Sequence, residues 1–144
     1  MDSTEITNEA MDFVQLYRKN RFKVGDMDFS FEELPKFDLL MTPFAILTAW
    51  NPNNQSTSSD INTKNNKLLE NELKHLKFSF VEAVGYLDDH SEASFCVYDI
   101  SFDQAIDLAK KFHQYSIFYN NAKTIGYYEV ETSKVIIERE LIDQ

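Results

Sequence analysis

The order of its periodic segments constrains the fold of this 144-residue chain more than any other feature. From Pro43 onward, apolar runs typical of strands alternate with the three-to-four-residue spacing that is typical of amphipathic helices. The order is strand, helix, strand, strand, helix, strand. The predicted elements cover residues 43–50, 61–76, 78–87, 92–100, 101–112 and 116–120.

Three of these segments carry specific signals. Residues 43–50 are apolar on both faces, which indicates a buried central strand. Residues 51–60 contain no hydrophobic residue and form a long polar loop of a kind that is often functional. The second helix is the best defined, because the Ser101–Gln104 segment is a capping box and the apolar residues behind it share one face. Those residues are Ala105, Leu108, Ala109 and Phe112.

This order of elements is the split β-α-β pattern of ferredoxin-like folds, and right-handed crossovers leave few layouts for it. We therefore predict one α+β domain over residues 1–144, with a mainly antiparallel sheet and a ferredoxin-like core. An extra N-terminal helix is predicted over residues 4–20, and further C-terminal strands should extend the sheet. The three parts are an N-terminal extension (1–42, with a short hairpin at 21–31), the core (43–130) and a C-terminal strand (131–144).

One face of the predicted sheet carries hydrophobic residues such as Phe44 and Ile46 and needs a cover. The N-terminal helix is the first candidate, because its apolar residues fall on one face. They include Phe13, Val14 and Tyr17. A second subunit is the next candidate, so the pattern is compatible with a monomer or a homodimer.

The predicted topology brings polar residues from distant parts of the sequence to one rim of the sheet. They come from the end of the first strand, the start of the first helix, the start of the return strand and the end of the second helix. The candidate ligand-binding residues are Trp50, Asn51, Asn62, Glu92, Ser94 and Gln114. Because strand ends and loops are polar in most proteins, the alternative is a polar network that only ties the loop to the sheet.

Amides dominate this set, and amides are suited to reading the hydrogen-bonding edge of a ligand rather than to moving protons. The residues therefore predict recognition of a small polar ligand, such as one resembling a nucleotide. Trp50, with Tyr86 and Phe112, could provide a surface for stacking. Glu92 and His113 are the weaker candidates for a general acid or base, so the pattern leaves open whether the protein is an enzyme.

At these positions the sequence resembles an uncharacterised bacterial family, domain of unknown function 3293, over roughly residues 44–127. The matching residues include Ala49-Trp50-Asn51-Pro52, Asn62, Leu69, Leu73, Gly85, Glu92-Ala93-Ser94-Phe95 and Phe112-His113-Gln114. The resemblance implies a polar signature of Asn51, Pro52, Asn62, Glu92, Ser94 and Gln114, but it implies no activity. Two positions depart from the family pattern: Asn65 replaces a frequent basic residue, and His113 replaces a glycine.

Other site chemistries find little support in the residues. The single Cys96 is predicted in mid-strand, where a packed thiol is more common than a nucleophile. The three histidines, His75, His90 and His113, fall on separate elements, so we predict no metal site. No phosphate loop or dinucleotide fingerprint occurs, and we predict no cofactor.

The charge balance bears on partners and compartment. With 24 acidic against 14 basic residues the chain carries −10, which disfavours binding to nucleic acid or to an anionic membrane. One cysteine and a polar N-terminus favour the cytoplasm. An alternative function is an acidic interaction module, such as an inhibitor or immunity protein with a basic partner. Its candidate residues are Asp26, Asp28, Glu32, Glu33, Asp38, Glu129, Glu131, Glu138 and Glu140.

Overall fold

The computed structural model describes residues 14–141, apart from the side chain of Asn54, and within them the chain forms three α-helices, two short 3₁₀ helices (Phe37–Leu40 and Pro52–Asn54) and eight strands. The helices are α1 (described over residues 14–19), α2 (Ser59–His75) and α3 (Phe102–Lys111). The strands are β1 (Arg21–Val24), β2 (Met27–Ser30), β3 (Phe44–Leu47), β4 (Ser79–Leu87), β5 (His90–Tyr98), β6 (Ser116–Asn120), β7 (Thr124–Glu129) and β8 (Val135–Glu140). Every element predicted after residue 20 is confirmed, with shifts of a few residues at the ends. Residues 4–13 of the predicted first helix lie outside the described residues.

All eight strands belong to one sheet, in the order β2-β1-β4-β5-β3-β6-β7-β8. Each neighbouring pair is antiparallel. The α+β class and the antiparallel sheet are therefore confirmed. The predicted central strand, β3, lies between β5 and β6, and all four of its residues are buried.

Helices α2 and α3 pack on the same face of the sheet, which we call the helical face. Its core includes Ala45 and Leu47 of β3, together with Leu69 and Leu73 of α2 and Ala105 of α3. The capping box that starts α3 is confirmed: Gln104 N donates to Ser101 Oγ, and Ser101 N donates to Gln104 Oε1. Strands β3, β5, β6 and β7 and both helices thus contribute to this core.

The buried face of α2 differs from the stripe that its leucines alone indicate. Leu68 is next to Leu69 and Leu76 is three residues after Leu73, but Leu68 and Leu76 are 50% and 47% exposed. The buried residues are Asn62, Asn66, Leu69 and Leu73, whose 4-3-4 spacing is that of one helical face. The buried face is shifted from the leucine stripe because Asn62 and Asn66 have buried hydrogen-bond partners. The hydrophobic pattern alone does not include these two residues.

The sheet is strongly curled, and its second face, which we call the concave face, closes on itself. The ring centroids of Phe22 on β1 and Phe118 on β6 are 4.9 Å apart, although three strands lie between them. In a flat sheet, four strand spacings would separate them by about 19 Å. Val14 and Tyr17 of α1 pack on this face, as predicted, whereas Phe13 lies outside the described residues.

Arg139 of β8 donates to the carbonyl oxygen of Phe31 at 3.0 Å, so the two ends of the sheet approach each other. No helix within residues 14–141 is both long and apolar enough to cross a membrane.

Candidate functional site

A cavity of about 320 Å³ opens at one end of the concave face. Its deepest residues are the buried Phe22, Ile46, Phe118 and Tyr127, which form an aromatic and aliphatic floor. Polar side chains surround this floor, from α1, the segment after β3, the β4–β5 hairpin and the start of β6. The curl of the sheet creates the cavity, because it brings β1 and β6 to opposite walls.

Five of the six predicted ligand-binding residues line this cavity: Trp50, Asn51, Glu92, Ser94 and Gln114. The pleat explains the placement of two of them. Glu92 and Ser94 alternate with residues of the helical face, so they point to the same side as the buried Cys96. Trp50 and Asn51 lie just beyond β3, where the chain leaves the sheet.

Asn62, the sixth predicted residue, does not line the cavity. It is 2% exposed, and its Oδ1 accepts from Asn51 N at 2.7 Å. Its Nδ2 donates to Asn51 Oδ1 at 2.9 Å and to the Thr57 carbonyl at 3.4 Å. Both ends of this amide are used within the chain, so Asn62 fixes the loop rather than a ligand. Asn62 therefore fits the alternative interpretation, a polar network that ties the loop to the sheet.

The exchange between Asn51 and Asn62 also holds Asn51 in an unusual backbone conformation. Asn51 has φ 47° and ψ 64°, in the left-handed region that asparagine tolerates better than most residues. Its Oδ1 accepts a second bond, from Thr57 N at 3.1 Å. The Asn51 side chain therefore fixes the loop through its Oδ1. Its Nδ2 donates to Glu92 Oε1 at 3.5 Å.

Asn66 is a structural residue that the sequence interpretation missed. Its Oδ1 accepts from Ala49 N at 2.7 Å, and its Nδ2 donates to the Ala93 carbonyl at 2.8 Å. It thereby joins the end of β3 to β5 from the helix. A signal existed, because Asn66 lies four residues after Asn62, on the same face of α2.

Gln114 spans the gap between the end of α3 and the segment after β3. Its Nε2 donates to the carbonyls of Trp50 and Phe112, both at 3.2 Å. Its Oε1 accepts no hydrogen bond from residues 14–141. Gln114 thus lies at the cavity with an amide oxygen available to a ligand.

Glu92 provides the carboxylate of the cavity. Both of its side-chain contacts are on Oε1, which lies 3.5 Å from Asn51 Nδ2 and 3.5 Å from His90 Nε2. Oε2 has no hydrogen-bond partner among the described residues. The nearby Ser94 Oγ donates to the Glu92 carbonyl oxygen at 3.2 Å. Glu92 is half-buried, so Oε2 is available to a ligand.

The second acid-base candidate, His113, lies elsewhere. It is exposed and lines a separate depression with Pro52 and Lys111, and its carbonyl accepts from Asn53 N at 2.7 Å. Glu92 and His113 do not line the same cavity. The histidine beside Glu92 is His90, whose Nε2 lies 3.5 Å from Glu92 Oε1. Phe112, a proposed stacking residue, packs on the helical face instead.

Several cavity residues were not predicted. Tyr17 and Asn20 come from α1 and the residues just after it, and Ser116 and Tyr127 come from β6 and β7. Tyr17 Oη donates to Ser116 Oγ at 3.4 Å, and Asn20 Nδ2 donates to Tyr127 Oη at 3.3 Å. No local pattern marks them, because they face the cavity only through the curl of the sheet. Burial raises the pKa of both tyrosines, so their hydroxyls stay uncharged.

Cys96 lies deeper on the same face and is 3% exposed. Burial raises the pKa of its thiol to about 11, which leaves little thiolate near neutral pH. We expect the native protein at pH 8 to react with a water-soluble disulfide reagent at least about 100-fold more slowly than the guanidinium-unfolded chain. Absorbance of the released thiolate gives both rates. Equal rates would contradict the burial of Cys96.

The potential metal ligands and the acidic residues form no further site among the described residues. Within residues 14–141, no group of three or more His, Cys, Asp or Glu side chains is placed to hold a metal ion. The carboxylates near β1 and β2 are exposed, and two of them pair within the chain. Arg21 contacts Asp28 Oδ1 and Glu33 Oε1, each at 2.8 Å.

The fold and the site define an α+β protein whose curled antiparallel sheet holds a polar cavity over an aromatic floor. Residues 47–117, from the end of β3 to the start of β6, match the family described as protein of unknown function (DUF3293). The resemblance seen in the sequence is therefore confirmed over this segment. The segment contains Trp50, Asn51, Asn62, Glu92, Ser94 and Gln114. No curated protein and no solved structure matches the chain.

Proposed function

We propose that this protein binds a small, unphosphorylated polar ligand in the cavity of the concave face. The observation that carries the proposal is the convergence of polar side chains from four separate parts of the chain over an aromatic floor. Glu92 Oε2 and Gln114 Oε1 face this region without a partner among residues 14–141. Apolar pockets with a few convergent polar groups are the usual form of small-molecule sites.

The charges at the cavity favour an unphosphorylated ligand over a nucleotide. The described lining contains no Lys or Arg, and its one carboxylate is Glu92. Phosphate binding normally requires basic side chains or converging backbone N–H groups. The start of α2 supplies no such group here, because none of residues 58–62 lines the cavity. A nucleobase, a nucleoside or a small amide or amine suits the site better.

A ligand screen tests this proposal. Trp50 is the only tryptophan of the chain and lines the cavity, so its fluorescence reports binding directly. We expect some nucleobases, nucleosides or small aromatic amides and amines to change it saturably, and matched phosphorylated compounds to bind at least about tenfold more weakly. The Gln114→Met variant should lose about tenfold in affinity, since it removes the free amide oxygen. The measurement is a fluorescence titration with N-acetyltryptophanamide as the optical reference.

His113→Asn is the matched control, because His113 is the neighbouring residue and does not line the cavity. Asparagine tolerates the positive φ of 57° at this position. The control should bind as the parent protein does. Tighter binding of the phosphorylated compounds, or equal losses in both variants, would contradict the proposal.

The acidic interaction module is the weaker candidate. Arg21 already neutralises part of the charge of Asp28 and Glu33, whereas the cavity keeps unused acceptors. Such a module predicts a basic protein partner whose affinity falls with added salt. Binding in the cavity would depend much less on salt for a neutral ligand, so salt dependence separates the two functions. A cytoplasmic location stays a proposal, supported by the lone cysteine.

We also propose that the core has ferredoxin-like topology. The four core strands follow the order β4-β5-β3-β6, so β5 lies between the two strands that α2 connects. Both helices pack on one face. This order and this layering support a split β-α-β core, to which β1, β2, β7 and β8 are added at the edges.

A further inference from the structure

We infer that the ligand of the cavity is an organic cation that carries several N–H groups, such as an amidinium, a guanidinium or a primary ammonium on a compact body. This inference rests on the proposed function, because it assigns a chemical class to the ligand of the same site. It is carried by three oxygen acceptors without a partner among the described residues and by the single carboxylate of the described lining.

Three side-chain oxygens at the cavity accept no hydrogen bond from residues 14–141. They are Glu92 Oε2, Gln114 Oε1 and Asn20 Oδ1. The NH₂ groups of the two amides already donate, Asn20 to Tyr127 Oη and Gln114 to two carbonyls. At these two amides the NH₂ groups are engaged within the chain and the oxygens stay free. A ligand that satisfies them must be rich in N–H or O–H donors.

The charge of the lining further favours a positively charged ligand. Glu92 is the one carboxylate of the described lining, and no Lys or Arg lines the cavity to neutralise it. Among residues 14–141 its one basic partner is His90, whose Nε2 lies 3.5 Å from Oε1 and which is largely exposed. A half-buried carboxylate with one free oxygen favours a cationic donor over a neutral one, because charge-assisted hydrogen bonds are about twice as strong.

The rings that line the cavity suit the same class of ligand. Trp50, Tyr17 and Tyr127 all line it, and the ring centroids of the two tyrosines are 4.8 Å apart. Aromatic faces attract cations, and the attraction grows where water is excluded. A flat cationic group can therefore approach Glu92 while its body contacts the rings. Anions lack each of these contacts and meet the carboxylate instead.

Three compounds of nearly identical shape test the inference: benzamidine, benzamide and benzoate. They differ in charge, as a cation, a neutral molecule and an anion. We expect benzamidine to bind at least about tenfold more tightly than benzamide, and benzoate to bind most weakly. Binding is measured from the shift of the Trp50 indole N–H signal and from neighbouring backbone amides by NMR titration.

Two matched variants locate the preference. Glu92→Gln keeps the shape of the side chain and removes its charge, so the benzamidine-to-benzamide ratio should fall to about one or two. Glu82→Gln removes the same charge from β4 at a position outside this cavity and should leave the ratio unchanged. Equal losses in both variants would mean that only the overall negative charge acts, and would overturn the inference.

Failure of the inference and failure of the proposed function give different results. If benzamide binds in the cavity as tightly as benzamidine, the proposed function stands and the cationic class is wrong. If none of the three compounds binds, the cationic class is again wrong, and the wider nucleoside and amide screen decides the proposed function. Retention of the cation preference in Glu92→Gln also contradicts the assignment.

Discussion

Replacing Asn62 with alanine is expected to lower the free energy of unfolding by about 2–4 kcal/mol. The buried Asn62 side chain accepts a hydrogen bond from Asn51 N and donates to Asn51 Oδ1 and to the Thr57 carbonyl. Truncation leaves these groups without partners and opens a small cavity at the start of α2. Urea denaturation followed by circular dichroism measures the change from the midpoint and slope.

Asn65→Ala is the matched control on the same helix, because the Asn65 side chain makes no hydrogen bond to the described residues. Its effect should stay within about 0.5 kcal/mol. The pair also tests the role of Asn62. If Asn62→Ala kept full stability and lost ligand binding, Asn62 would be a ligand residue, as the sequence predicted, and the hydrogen-bond assignment would be wrong.

Replacing Gly126 with alanine is expected to cost about 3 kcal/mol or more. Gly126 lies on β7 opposite Glu138 of β8. An added Cβ would overlap the Ile137 carbonyl oxygen and lie 2.8 Å from the Glu138 Cα. These are backbone atoms of the neighbouring strand, so no side-chain rotation relieves the overlap and the strands must separate. Thermal and urea unfolding measure the loss.

Gly85→Ala is the matched control in the same sheet. Its added Cβ would lie 3.4 Å from Phe22 Cε1, an ordinary contact with a side chain. The substitution also reduces the backbone entropy of the unfolded chain, so we expect a change between a small loss and a gain of about 0.5 kcal/mol. Equal effects of the two substitutions would contradict the close approach of β7 and β8.

The secondary structure was predictable because its signals are local. The capping box at Ser101 and Gln104 fixes the start of α3, and the apolar run at 43–50 indicates a buried strand. The curl of the sheet was not predictable, because it depends on the meeting of Phe22 and Phe118 across three intervening strands. Without the curl, no pattern places Tyr17, Asn20 and Tyr127 at the same cavity.

The candidate site was predictable only as far as the order of the elements determines which residues meet. Topology alone brings Trp50, Glu92 and Gln114 to one end of the sheet, and all three line the cavity. Topology does not reveal which amides bond to each other, so it cannot separate Asn62 from Gln114. The difference lies in their partners, since Asn62 uses both ends of its amide within the chain and Gln114 uses only its NH₂ group.

The most direct test of the central claim is an NMR map of where small polar compounds bind. The spectra of uniformly ¹⁵N-labelled protein are recorded with each compound that changes Trp50 fluorescence. If ligands bind in the cavity, the signals that shift should cluster on the Trp50 indole and on the amides of Glu92, Ser94 and Gln114. Shifts that cluster instead around His113 and Lys111, or on the acidic residues of β1 and β2, would contradict it.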